Sequence, residues 1–281
     1  MSPLTGKTKT ITPLTVSPHI GRAVSTNNLS AFDGEKRAVM TRKAEWATDT
    51  TCNVFEHLTR KTSVPLAYIG RGDTPDSFFT KICTMIPVEI VVRFEAQGSY
   101  CARNPGVAPG TSLVHHPDHS RLFESVVEFF YKTSGREING LTLPCDDPLI
   151  EWNGGYGGFD LYHPKKPKNE GYIGLLPITD SDAEKLRSQL PTLERIADAT
   201  GSCLFSAWRD VGGKLQDIKI ECGELPSGEI VLADVIDCDS WRVKWHGIQI
   251  SKQEFRDDKP MEIVSDVYAL GASLTRRFLL L

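Results

Sequence analysis

At 281 residues, with 40% hydrophobic and 24% charged side chains, the chain can bury one large core or two modest lobes. A formal charge of −4 draws the molecule as a whole to neither nucleic acid nor an anionic membrane, so any phosphate-bearing ligand must be held by local basic residues. Seven cysteines, at 52, 83, 101, 145, 203, 222 and 238, include no C-x-x-C pair, and the N-terminus reads as lacking a secretory leader. Reduced thiols in a cytoplasmic protein are expected, and apolar runs such as 87–92 are too short to span a bilayer.

In chain order, Gly6-Lys7-Thr8-Lys9 leads into β-branched Thr10, Ile11 and Thr12. This predicts a strand with both lysines on one face, since residues two apart share a face. The stretch 27–34 is turn-rich, and 48–60 predicts a helix with Cys52, Phe55 and Leu58 as its apolar stripe. Segment 81–93 reads as a linker entering a buried strand, with Glu89, Val91 and Arg93 on one face and Val88, Ile90 and Val92 on the other.

A second extended segment is expected at 123–131, followed by a polar excursion over 133–144. The glycine-dense 153–158 and the basic 164–168 read as mobile surface loops. A helical region follows, with Asp180 as its N-cap and Leu186, Leu190, Leu193 and Ile196 on its apolar side; Pro191 predicts a kink or two consecutive helices.

The chemistry concentrates after Gly212-Gly213. Residues 215–222 alternate, placing Asp217, Lys219 and Glu221 on one face and Ile218, Ile220 and Cys222 on the other; 229–236 is a second strand. A two-residue Ser227-Gly228 loop would set Glu221 directly opposite Asp234. Like charges so paired destabilise a sheet unless neutralised, and Mg²⁺, which takes one or two carboxylates plus phosphate oxygens, would neutralise them. Lys219, on the same face, could meet a phosphate or a substrate carboxylate. The solvated polar face of an ordinary hairpin is the competing reading.

The residues also spell a pattern. Asp217-Ile218-Lys219-Ile220-Glu221-Cys222-Gly223, followed by IVLADVIDCDSWR over 230–242, resembles the signature of the SAICAR synthetases. In the family's order stand Gly6-Lys7-Thr8-Lys9, Ser30-Ala31-Phe32-Asp33, residues 86–93 with Gly98-Ser99, and Lys132 with Asp146-Asp147-Pro148. The resemblance runs from residue 6 to about 245, and its specificity lies in the ordered set of motifs.

The resemblance implies an α+β fold with two lobes: an antiparallel β N-terminal lobe (1–87) and a larger α/β C-terminal lobe (88–281), with an ATP cleft between. It implies an ATP-dependent ligase joining the carboxylate of an aminoimidazole ribotide (carboxyaminoimidazole ribotide, CAIR) to aspartate through an acyl phosphate. Lys7 and Lys9 would contact the ATP phosphates, with Met85 and Glu89 also on the nucleotide. Glu221 and Asp234 would hold Mg²⁺. Arg93, Ser99 and Arg242 would hold the ribotide phosphate, a role suited to forked guanidinium donors. Lys219 and Asp217 would line the reacting centre, Lys132 and Asp147 would lie near the imidazole, and Asp33 would touch substrate. No nucleic-acid or membrane partner is implied, and a homo-oligomer is compatible.

Four departures stand out: Val235 where the family usually has Glu, Asn28 where many members have Asp, an insertion between Lys132 and Asp146, and the glycine-rich 153–159. They leave Lys7, Lys9, Glu221, Asp234 and the other implied ligand-holding residues in place, and fall where the imidazole and amine pockets are expected. A paralogue acting on a related nucleotide or amine, as in purine-like nucleoside antibiotic pathways of the pentostatin or coformycin type, is the alternative. A non-catalytic nucleotide-binding protein of the same fold is a third.

Overall fold

The structure, a computed structural model, describes residues 2–6, 8–31, 34–114, 125–133, 137–138, 141–177 and 181–281. The expectations placed on Lys7, Asp33 and the helix cap Asp180 lie outside the described residues. The chain forms two compact units. Met1–Thr84, Thr200–Leu215 and Gly223–Leu281 make the first; Met85–Ala199 and Gln216–Cys222 make the second. Helices and antiparallel sheets together give the α+β class expected.

In the first unit, Leu4–Thr5, Lys9–Leu14, Ser17–Ser25, Ser77–Lys81 and Tyr68–Arg71 lie side by side in that order, each antiparallel to its neighbour. Ala23 and Phe78 on this sheet meet Cys52 of the helix Lys43–Lys61 in a buried cluster. That helix starts five residues before the expected 48. Its first turn is satisfied from a distance, the Ala44 N–H donating to Asn27 Oδ1 at 3.0 Å, a cap that no local pattern announces. The helix Met261–Arg276 packs alongside it, where Asn53 Nδ2 donates to Ala272 O at 3.3 Å and Thr275 Oγ1 at 3.2 Å. Trp208 sits edge-on to both Trp241 and Phe278.

In the second unit one antiparallel sheet runs Tyr172–Pro177, Gly158–Tyr162, Leu149–Asn153, Val126–Tyr131, Val88–Arg93, and then the 216–222 part of the long strand Gly213–Glu224. The alternation behaves as expected: Val88, Ile90, Val92, Ile218 and Ile220 are buried on one face. Glu89, Val91 and Arg93 turn to the other, where the candidate site is built. Inside the inserted segment Glu137–Ile138 pairs antiparallel with Leu141–Thr142.

Three expectations are sharpened or corrected. The glycine-dense stretch lies at the surface as expected, and there it forms a hairpin turn between two paired strands: Asn153 Oδ1 accepts from the Gly155 and Tyr156 amides at 3.2 and 3.3 Å, and its Nδ2 donates to Asp160 Oδ2 at 2.8 Å. Of the two outcomes expected at Pro191, a kink or two consecutive helices, the second is overturned: the region is one helix, Ser181–Asp210. The proline lies on the exposed side, where water can satisfy the Arg187 carbonyl it leaves without a helical donor.

The third correction concerns the 215–236 hairpin. Its loop has three residues, not two: Leu225 N–H donates to Glu229 O, Gly228 N–H donates to Leu225 O, and Gly228 sits at φ 85°. This is a tight turn followed by a left-handed glycine, and it shifts the register by one residue. The strand ends at Ala233, and Asp234 follows in the left-handed region at φ 59°. The two-residue register that set Glu221 opposite Asp234 is therefore not the one adopted. None of the seven cysteines, all of them described, forms a disulfide. Among the described residues, no helix is long and apolar enough to cross a membrane.

Candidate active site

The second unit gathers charged side chains on the polar face of its sheet. Register sets Arg93 between Val126 and Asp217, and Val91 between Glu128 and Lys219. Side chains two apart share a face, so Glu89, Arg93, Glu128, Lys132, Asp217, Lys219 and Glu221 project to one side.

They form two groups. Arg93, 2% exposed, donates Nε–H to Glu128 Oε2 at 2.5 Å, NH1 to Asp217 Oδ2 at 3.1 Å and NH2 to Ser99 Oγ at 3.1 Å. Ser99 reaches this position because Gly98, at φ 52°, turns the chain into the short helix Ser99–Arg103. Arg103, also buried, donates NH2 to the other oxygen of Glu128 and NH1 to Pro164 O at 2.6 Å.

In the second group, Lys219 Nζ donates to Glu89 Oε1 at 2.9 Å and Glu221 Oε1 at 3.1 Å, and Lys132 Nζ donates to Glu221 Oε2 at 2.7 Å. Burial alone would lower the Lys219 ammonium; Glu89 and then Glu221 outweigh it and hold the group above its ordinary value. Burial would raise the Glu221 carboxyl, and Lys219 and Lys132 together hold it below. Lys219 is thus a fixed cation and Glu221 a fixed anion.

Asp147 joins this neighbourhood through the backbone. Thr133, next to Lys132, donates its N–H to Asp147 Oδ1 at 2.9 Å, and its Oγ1 receives the Asp147 N–H at 3.0 Å. Two residues separated by the insertion in sequence are tied together, with Asp147 held at φ 46°. Met85, 42% exposed, ends the strand Thr84–Met85, and it begins the second unit.

In the first unit, Lys9 and Asp234 form an ion pair. Gly6 N–H donates to Lys9 O at 2.9 Å at the entry to the Lys9–Leu14 strand. Arg242 lies in the strand Trp241–Trp245. Between Asp234 and Arg242 runs a segment pinned by a buried charge cluster. Lys43, 1% exposed, and Lys252 approach Asp239 Oδ2 at 3.4 and 3.7 Å, and the Tyr268 hydroxyl donates to Asp239 Oδ1. Lys43 and Lys252 overcome burial and hold the Asp239 carboxyl below its ordinary value. Asp237 Oδ1 accepts the Asp239 amide at 2.8 Å.

Sequence reasoning missed Glu128, Arg103 and this Lys43–Asp239 cluster. Glu128 had a usable signal: it is the one charge inside the apolar run Val126–Tyr131 and shares parity with Lys132. Lys43 and Arg103 had none, because a buried cation on a helix looks like a surface one until its partners are known.

Comparison with known proteins bears on what this arrangement serves. The model of the family described as SAICAR synthetase matches residues 3–139 and 177–267, most of the chain. The chain belongs to the SAICAR synthetase family. It is 30% identical to the phosphoribosylaminoimidazole-succinocarboxamide synthase of Chloroflexus aurantiacus, over 97% of this chain and 95% of that protein. It is 32% identical to the bifunctional purine synthesis protein purC/E of Dictyostelium discoideum over 85% of this chain, which spans only 20% of that longer protein. A solved SAICAR synthetase in complex with ADP has the same fold, with a TM-score of 0.73 at 22% identity over 98% of this chain and 97% of that one. The SAICAR synthetase match leaves out residues 140–176, which hold the Asn153 turn and the basic 164–168 loop.

Proposed function

We propose that the protein is an ATP-dependent ligase that forms the amide between the carboxylate of CAIR and the amine of aspartate. Family membership and the Chloroflexus relative's name support the reaction. The observation that carries it is the sheet face in the second unit, where paired cations and carboxylates converge. The reaction must first make the substrate carboxylate a good acylating agent. It attacks the γ-phosphorus of ATP, giving an acyl phosphate and ADP; the aspartate amine then adds to the acyl carbon, loses a proton and expels phosphate.

Arg93, with Ser99 beside it, would hold the ribotide phosphate, and Arg242 keeps the same assignment from the family resemblance. Lys219, kept cationic by Glu89 and Glu221, would neutralise charge developing on the transferred phosphoryl group or the carboxylate. Lys132 and Asp147, joined through Thr133, would shape the imidazole side, with Asp217 orienting Arg93. Lys7 and Lys9 would serve the ATP phosphates, with Met85 and Glu89 also on the nucleotide side. In this reading 1–87 serve ATP and 88–281 serve substrate and metal.

Glu221 and Asp234 would hold Mg²⁺. Their chemistry fits: each is a carboxylate now paired with ammonium groups, Lys132 and Lys219 for one and Lys9 for the other, so each position already accommodates positive charge. Among the described residues, no group of three or more His, Cys, Asp or Glu could cage a metal, so an ion on these two carboxylates would have to complete its coordination with phosphate and water. When bound, Mg²⁺ would supply charge neutralisation at the phosphates.

A second reading is favoured by Val235. It stands where the family pattern implies Glu, and its side chain packs against the Ala23–Cys52–Phe78 cluster. That reading is a paralogue using another ribotide or amine. Incubation with ATP, Mg²⁺, CAIR and aspartate, followed by mass spectrometry and phosphate release, separates the two. Succinocarboxamide product, lost in Glu221→Ala and Asp234→Ala, supports the first. Phosphate release only with a different ribotide or amine supports the second. No phosphate release with any ribotide overturns both.

A further inference from the structure

Arg93 carries five N–H donors, and among the described residues three are committed: Nε to Glu128, one on NH1 to Asp217 and one on NH2 to Ser99. The described residues leave two, one on each terminal nitrogen, the number a phosphate takes from a forked guanidinium. Which donors remain depends on how Glu128 binds. A carboxylate facing an arginine alone tends to close on it with both oxygens. Here it does not, because the second oxygen of Glu128 is held by Arg103 NH2. Arg103 is itself anchored, its NH1 donating to Pro164 O at 2.6 Å and its guanidinium lying 5.3 Å from the centre of the Phe130 ring.

We propose that Arg103 is a positioning residue for phosphate recognition: by occupying Glu128 Oε1 it limits Glu128 to the Arg93 Nε–H and keeps two Arg93 N–H donors available. The inference rests on the reading that Arg93 binds the ribotide phosphate and adds the residue that makes it able to. A purely structural purpose is a poor account of the cluster. Burying Arg93, Arg103, Glu128 and Asp217 together costs desolvation that apolar side chains of similar size would avoid. The arrangement sets the direction of donors, which packing alone does not.

Calorimetric binding of ribose 5-phosphate and of ATP–Mg²⁺ to the full chain tests this. Ribose 5-phosphate carries the phosphate common to any ribotide, so the test is independent of which ribotide is used. Arg103→Met is expected to weaken ribose 5-phosphate about tenfold while leaving ATP–Mg²⁺ within about twofold. Adding Glu128→Gln to Arg103→Met should recover part of that loss, because an amide offers Arg93 only one acceptor oxygen. A merely structural arginine would weaken ATP–Mg²⁺ along with ribose 5-phosphate when removed, because the loss would come from the fold and not from the direction of the Arg93 donors.

Arg103→Lys, which keeps the charge but cannot fork between Glu128 and Pro164, serves if Arg103→Met fails to fold. Arg93→Met is the control for the underlying reading. If it weakens ribose 5-phosphate while the Arg103 variants do not, or if Glu128→Gln brings no recovery, the role of Arg103 is overturned and that of Arg93 stands. If Arg93→Met has no effect, or the unsubstituted protein does not bind ribose 5-phosphate, both fall.

Discussion

Two single residues show how position converts an ordinary side chain into a fixed charge state. Lys219 lies between Glu89 and Glu221, and both hold its proton on. Lys219→Met is expected to reduce phosphate release with ribotide by about 10²-fold or more, with far-UV circular dichroism unchanged. His57 is the reverse case. It is 3% exposed on the helix Lys43–Lys61, 2.9 Å through Nδ1 from Phe278 O, with Arg60 and Lys61 on the same turn. Burial, and then those cations, push its pKa below the ordinary histidine value. The unfolded chain therefore takes up the proton first as pH falls, so His57's contribution to stability is complete above about pH 6.5 and is lost toward its lower folded pKa. Urea unfolding from pH 7.5 to 5 should show stability falling across that window, and His57→Gln should flatten the slope by at most one proton.

Among the elements, the long strand Gly213–Glu224 carries the most constraint. Its charged face supplies Asp217, Lys219 and Glu221, and its end is shaped by close approach. A Cβ on Gly223 would lie 2.3 Å from Cys83 Sγ, 3.0 Å from Cys83 Cβ and 3.3 Å from Thr84 O. Gly223→Ala is expected to destabilise by about 1–3 kcal/mol, the range for overpacking a tight site. Cys83→Ala should relieve part of it, because the nearest clash is with the sulfur; thermal melts of the two single variants and the double variant would measure the coupling. The hairpin loop that follows has the same character: Gly228 at φ 85° adds the residue that moves the register.

For the molecule as a whole, each unit is assembled from separated stretches of chain. The face of the helix Lys43–Lys61 that leaves the N-terminal sheet is covered by Met261–Arg276 and by Phe278, which is fully buried. A fragment of residues 1–87 would expose that apolar face. It is expected not to fold by itself, which dispersion of its amide proton spectrum would reveal. For the full chain, ATP with Mg²⁺ should raise the melting temperature, with stabilisation reaching about 2.7 kcal/mol at a hundredfold excess over Kd. EDTA should remove most of the shift. An equal shift with and without the metal would count against Mg²⁺ as part of the nucleotide site.

Much of this was legible in the residues. The ordered motifs from Gly6 to Arg242 announced the family, and strict alternation at 88–93 and 217–222 told which side chains share a face, because a strand's period of two is a local property. Alternation does not say which neighbour a side chain meets. That Arg93 is held by one oxygen of Glu128, that Arg103 holds the other, and that Thr133 brings Asp147 beside Lys132 across an insertion all depend on sheet register and loop closure. The same limit explains the misplaced start of the helix Lys43–Lys61, capped by Asn27 from outside, and the two-residue hairpin that turned out to have three. The sequence by itself determined the residue types, their faces and the family. The tertiary structure decided which charge neutralises which, because that is settled by contacts between residues far apart in the chain, 124 positions for Arg93 with Asp217 and 130 for Lys219 with Glu89, and no local pattern encodes them.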